Sequence, residues 1–276
     1  MIAPILLAAL ATATVSEAKL PAQPSKDTMS HSSDAPCCPV IELRQYTLKP
    51  GQRDVLIELF ERELVESQEA VGMRLVGQFR DIERPDRFVW IRGFPDMPAR
   101  AQALGAFYGG PVWQAHSEAA NATMIDSDNV LLLRPIDANS AFAMPSTARA
   151  PVGATAPASS RVLATLYYFA APVDDDFRRF FDTEVTPVQI DAGARPLARF
   201  ETEPAENMFT RLPVREGEHV FIDFAAFASE IALRDYETRL AASPRWSANV
   251  QPDLLKRLKS PPERLVLEPT ARSRLR

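Results

Sequence analysis

Apolar and polar residues alternate from Val40 to Leu48, the pattern of a strand with two unlike faces. The period then changes. Over residues 51–70, Val55, Leu56, Leu59, Phe60 and Leu64 form one apolar stripe with charges around it, which predicts an amphipathic helix closed by Gly72. Residues 75–82 and 88–94 form a hairpin around Glu83-Arg84-Pro85-Asp86. Asp96 can cap a second helix starting near Pro98, Gly109-Gly110 interrupt it, and Pro111 restarts it. Residues 130–134 make a last strand. The order is β-α-β-β-α-β, the ferredoxin-like plan.

The pattern recurs further along. Phe88-Val-Trp-Ile-Arg-Gly-Phe94 resembles Phe221-Ile-Asp-Phe-Ala-Ala-Phe227, and Phe94, Pro111 and Trp113 match Phe227, Pro244 and Trp246 at a constant offset of 133. Tryptophan occurs three times in the chain, so a matched Pro-x-Trp is a specific signal. Both copies reach a short strand ending in proline, at Pro135 and Pro269. Upstream, Val40, Tyr46 and Pro50 align with Val162, Tyr168 and Pro172, which leaves an insertion in the second copy between about Thr202 and Gly217. The expected organisation is a first domain at 37–136, an Ala/Pro/Ser-rich linker at 137–160, a divergent second domain at 161–270 and a solvated basic tail at 271–276. Each unit would bury one sheet face under its helices and leave the other bare. The expected class is therefore α+β: two tandem ferredoxin-like units packed sheet to sheet as a pseudo-dimeric α/β barrel. Pairing with a second chain, as a homo-oligomer, is the alternative cover.

Residues 1–36 differ from the rest. Fourteen mostly apolar residues from Ile2 to Val15 precede Ser16-Glu17-Ala18, a small-residue cleavage pattern. If residues 1–18 are a signal peptide the protein is exported; if translation starts at Met29 it is cytoplasmic. The run is too short for a stable membrane span.

The chain has 276 residues, 46% of them hydrophobic and 24% charged, ordinary values for globular domains with real cores. A net charge of −5 argues against a nucleic-acid partner. There is no GxGxxG, GxxxxGK[ST] or GxSxG, so the nucleotide-binding and α/β-hydrolase motifs are missing and no cofactor is expected. Two cysteines and three histidines leave little for a metal centre, and none is expected. The adjacent Cys37 and Cys38 could hold a soft metal or form a vicinal disulfide; an inert pair at the start of the first strand is the favoured reading.

Val40-Ile-Glu-Leu-Arg-Gln-Tyr46, the Trp90/Arg92 strand, Phe107-Tyr-Gly-Gly-Pro-Val-Trp-Gln-Ala-His116 and the run from Met124 to Pro135 resemble the NIPSNAP family. The resemblance covers about residues 38–136. It implies a dimeric α/β-barrel fold and, for this chain, a bacterial source. The family's animal members are mitochondrial and linked to vesicle transport or mitophagy signalling. The wider barrel superfamily includes cofactor-independent monooxygenases, isomerases and small-molecule binders.

In the first strand Ile41 and Leu43 share one face, and Glu42, Arg44 and Tyr46 share the other. The aliphatic face is expected to meet the helices, so Glu42, Arg44 and Tyr46, joined by Trp90 and Arg92 of the third strand, would point into the barrel. Buried charges cost several kcal/mol each unless paired. The cluster is thus either an ion-pair device of the fold or a pocket for a small anionic or polar molecule. Aligned as above, the second copy has Ala164, Leu166 and Ala225 where the first has Glu42, Arg44 and Arg92; its pocket should be empty or packed. His116, one turn beyond Trp113, is a weak candidate for general acid/base chemistry. Two functions follow: small-molecule binding or protein interaction without catalysis, or, as the alternative, a cofactor-independent monooxygenase- or isomerase-type enzyme acting on a small anionic or aromatic molecule.

Overall fold

The computed structural model describes residues 36–156 and 158–276, so the signal-like segment lies outside the described residues. The first half runs β1 (Val40–Leu48), helix α1 (residues 53–69), β2 (Arg74–Asp81), β3 (Arg87–Phe94), α2 (Met97–Tyr108), α3 (Pro111–Ala122) and β4 (Val130–Pro135). The second half repeats the order: β5 (Arg161–Phe169), α4 (residues 175–192), β6 (Arg195–Thr202), β7 (His219–Phe227), α5 (Glu230–Ala242), α6 (residues 246–257) and β8 (Glu263–Pro269). The punctuation is the expected one. The Asp96 carboxylate accepts from Ala99 N at 2.6 Å, and Asp174 accepts from Phe177 N at 2.7 Å, each closing a helix start. Pro111 opens α3 directly after the two glycines.

Within each half the strands follow the ferredoxin-like order, β2-β3-β1-β4 and β8-β5-β7-β6. The halves then join along both edges, β2 to β8 through Asp81↔Leu267 and β4 to β6 through Leu133↔Thr202. All neighbours are antiparallel, and the eight strands close into one barrel with the two bare faces inside. Closure by hydrogen-bonded edges is what removes the exposed strand edges that two separate sheets would carry.

The faces are opposite to the expectation. Ile41, Leu43, Val89 and Ile91 line the barrel, packed with Val162, Ala164, Leu166, Ile222 and Phe224 of the second half. Glu42, Arg44, Tyr46, Trp90 and Arg92 point outward, under α1 and α2. The physical reason is that the middle of the barrel interior is sealed by apolar side chains from both halves, with no partner there for a charge. The layer beneath the helices can supply side chains that pair with charge.

The alignment of the halves shifts by one residue for the same reason. Arg44 faces Trp90 across β1 and β3, and Thr165 faces Asp223 across β5 and β7. The one-turn π-helical stretches Phe60–Leu64 and Phe181–Val185 keep the same spacing. Glu42, Arg44 and Tyr46 therefore correspond to Leu163, Thr165 and Tyr167, rather than to Ala164, Leu166 and Tyr168, which face the barrel. A slip of one residue exchanges the two faces of a strand.

Two segments expected to be peripheral are built in. In the 137–160 stretch, Phe142 is fully buried inside the barrel against Phe200 and Phe224, and Phe142–Ala143 pairs with Pro36–Cys37. The C-terminal residues are not a solvated tail. Arg272, 2% exposed, pairs with Glu66 and donates to the Glu61 carbonyl, and Leu275 joins the barrel core. The Cys37 and Cys38 sulfurs are bonded to each other, not free. They press against Gly93, where an added Cβ would overlap Cys38 Sγ, so only glycine fits.

Candidate functional site

Strand alternation puts Glu42 and Arg44 of β1 beside Trp90 and Arg92 of β3 on the helix side of the sheet. Helix α2 adds Arg100 from the same stripe as Ala103, Leu104 and Phe107. Glu42 is the hub. One carboxylate oxygen accepts from Arg92 Nε at 2.7 Å and Arg44 Nη1 at 2.9 Å, and the other accepts from Arg100 Nε at 2.6 Å. All four side chains are 0% exposed.

Neutral groups complete the shell. Arg92 Nη1 donates to Gln68 Oε1 at 2.9 Å, Arg44 Nε to the Tyr46 hydroxyl at 3.0 Å, and Arg100 Nη1 to Asn207 Oδ1 at 2.9 Å. The guanidinium carbons of Arg44 and Arg92 lie 5.4 and 4.9 Å from the centre of the Trp90 ring, and Arg44 lies 5.4 Å from the Tyr46 ring, within cation–π range.

The accounts do not balance. Three cations meet one carboxylate, and among the described residues no second carboxylate pairs with any of them. Nη2 of Arg44, Arg92 and Arg100 and Nε1 of Trp90 are buried with no hydrogen-bond partner among the described residues. Burial alone would raise the Glu42 carboxyl, but Arg92, Arg44 and Arg100 outweigh it and hold it far below the ordinary carboxylate range. Burial opposes the Arg44 charge, and Tyr46 and Glu42 more than offset that. For Arg100 burial prevails over Glu42 and lowers its pKa. Burial raises the Tyr46 hydroxyl.

The cover comes from the other half. Residues 203–218, the inserted stretch between β6 and β7, carry no helix or strand and lie over α2. Asn207 reaches Arg100, Phe209 stacks on Tyr108 at 6.0 Å, and Leu212 and Val214 pack on the same apolar cluster. Asn207 is itself fixed by accepting from Phe209 N and donating to the Leu212 carbonyl.

Of the residues expected from the sequence, Glu42, Arg44, Tyr46, Trp90 and Arg92 do come together. His116 does not join them; its Nε2 lies 3.6 Å from Glu63 of α1, half-exposed. Arg100, Gln68 and Asn207 were not anticipated. Arg100 had a readable signal, a charge set in the apolar stripe of a helix. Asn207 had none.

At the matching place in the second half, Glu42, Arg44, Arg92 and Arg100 are replaced by Leu163, Thr165, Ala225 and Leu233, while Tyr167 and Gln189 keep the positions of Tyr46 and Gln68. Asp223 takes the place of Trp90; burial raises its carboxyl to about 6 against the pull of Arg199.

Residues 41–138 match the model of the NIPSNAP family, so the resemblance read from the sequence is borne out over that stretch. Solved structures give the fold. An anthrone oxidase-like protein is 14% identical with a TM-score of 0.51, covering 84% of this chain and 91% of its own. A protein from Fusobacterium nucleatum, provisionally assigned as a monooxygenase, is 9% identical with a TM-score of 0.48, over 85% of this chain and 93% of its own. A NIPSNAP family protein from Agrobacterium tumefaciens is 24% identical with a TM-score of 0.33, over 36% of this chain and 86% of its own. No curated protein matches the chain. Among the described residues no helix is long and apolar enough to cross a membrane.

Proposed function

We propose that the first half binds a small anionic molecule at the arginine cluster, and that the second half is a divergent copy of the same domain which has lost that capacity. The observation that supports this most is the excess of buried donors. Three guanidinium Nη2 groups and the Trp90 indole N–H have no acceptor among the described residues, and three positive charges share one carboxylate. Leaving a buried donor unpaired costs about 1–3 kcal/mol, more for a charged one. A carboxylate or oxyanion supplies the acceptors and the missing charge together, in the forked geometry guanidinium favours. Phe209 of the inserted stretch stacks on Tyr108 beside Arg92, and a flat apolar body attached to that anionic head could take the place of that ring.

Binding is favoured over catalysis by the protonation states. Glu42 stays ionised and Tyr46 stays protonated at neutral pH, so neither is poised to move a proton. The inserted 203–218 stretch must move aside for a ligand to reach Arg100.

The test is to purify the protein under native conditions and identify, by mass spectrometry, what leaves it on denaturation. An anionic compound that is retained by the wild type and lost in Arg92→Ala supports the reading. No retained compound, together with no thermal stabilisation by any of a set of carboxylates and inorganic oxyanions, overturns it.

A further inference from the structure

The second half has not filled the space that its missing arginines vacate. A cleft of about 320 Å³ lies between its sheet and helices, lined by Thr165, Tyr167, Gln189, Tyr236, Ala241 and Trp246 among others. By the spacing of the two halves, Thr165, Tyr167, Gln189, Ala241 and Trp246 stand where Arg44, Tyr46, Gln68, Tyr108 and Trp113 stand in the first half. The exchange of Tyr108 for Ala241 removes a whole ring. The exchange of Arg44, Arg92 and Arg100 for Thr165, Ala225 and Leu233 removes three guanidinium groups.

The geometry points to a second ligand site, independent of the anion site: we infer that this cleft takes an uncharged, largely apolar planar molecule bearing a hydroxyl or carbonyl group. Three observations carry the class. The walls are mainly apolar, with Leu163, Leu240, Leu254 and Trp246 among the lining residues, as in small-molecule pockets of this size. The buried polar groups are neutral, since the Tyr167 and Tyr236 hydroxyls share the Gln189 side chain and burial keeps both phenols protonated, and the charged lining residues, Glu237 and Arg264, are half-exposed and paired with each other. The charges disfavour an anion. Asp223 lies buried close enough for its charge to act on both phenols and is paired with Arg199 at 3.3 Å, while the lining arginine, Arg264, is at the rim and paired with Glu237.

The probe for this is N-phenyl-1-naphthylamine, an uncharged dye that brightens in apolar surroundings. Wild type is expected to bind it saturably. Ala241→Tyr, which restores the first half's ring, and Leu255→Trp, at the exposed rim, should each weaken it about tenfold or more. Arg92→Ala should leave it unchanged. Competition should show 1-naphthol displacing the dye about tenfold better than naphthalene, with the preference reduced in Tyr236→Phe. Absence of saturable binding, equal binding by both blocking variants, or loss of binding in Arg92→Ala instead would each overturn the assignment. Melting curves of the two blocking variants identify a folding failure, and since they act from different elements, failure of one leaves the other decisive.

Discussion

Beneath the helices of the first half, three arginines crowd around Glu42; at the same place in the second half stand Leu163, Thr165, Ala225 and Leu233. Both halves keep the same strand order, the same helix starts and the same tyrosine and glutamine beside the position. The fold is thus satisfied by an apolar filling there. Burying four charges where four apolar or small residues serve is expensive, because desolvation costs several kcal/mol per ion. On the proposed reading the charge is there for what it holds rather than for what it stabilises.

The largest effect should come from breaking the hub. Glu42→Leu leaves three buried arginines without a counter-charge and should cost about 3–5 kcal/mol or more, a fall in melting temperature on the order of 10 °C for a chain of this size. Replacing the set by its second-half counterparts, Glu42→Leu with Arg44→Thr, Arg92→Ala and Arg100→Leu, should restore most of that loss. If the fourfold variant melts as low as the single one, the charges are structural and the comparison fails.

Next is a difference in pH response. Glu42 is held below its unfolded value of 4.5, so its contribution is complete above that pH and is lost as the pH falls below it. Asp223 is raised from 3.8 to about 6, so its ionisation costs stability, increasingly as pH rises through that interval and fully above it. Asp223→Asn should therefore stabilise the protein at pH 8 by up to about 3 kcal/mol, and the gain should vanish near pH 4. Denaturant melts at both values measure it. A gain independent of pH would show that Asp223 titrates normally.

Single arginine losses should be milder. Arg92→Ala leaves Glu42 paired with Arg44 and Arg100 and relieves like-charge repulsion, so about 1–2 kcal/mol is expected, mostly from unpaired Gln68 and lost packing on Trp90. The smallest effect is Asn207→Ala, about 1 kcal/mol. Its signature is local: faster hydrogen exchange over 203–218, with the barrel strands unchanged.

The fold was largely legible because alternation, caps and the Pro-x-Trp pair are local signals. What alternation could not tell was which face met the helices. Ile41 and Leu43 are as fit for a barrel interior as for a helix layer, and the choice depends on the second half closing the barrel. The one-residue slip at β5 has the same origin, since only the cross-strand pairing of Thr165 with Asp223 fixes it. Glu42, Arg44 and Arg92 were visible as charges in strands. Arg100 was readable only as a charge set in the apolar stripe of α2, and Asn207 arrives from 107 residues further along the chain, through an insertion without any pattern. Phe142 and Leu275 were missed because a single buried side chain in an irregular segment has no period to reveal it.

The central claim is that the first half carries a positive charge meant for an anion. Isothermal titration of benzoate and acetate into wild type and the fourfold variant, at constant ionic strength, tests it most directly. The account predicts one saturable site per chain in the wild type, with benzoate the tighter ligand, and none in the variant. Equal heats in both proteins, or no saturable binding to the wild type, would contradict it.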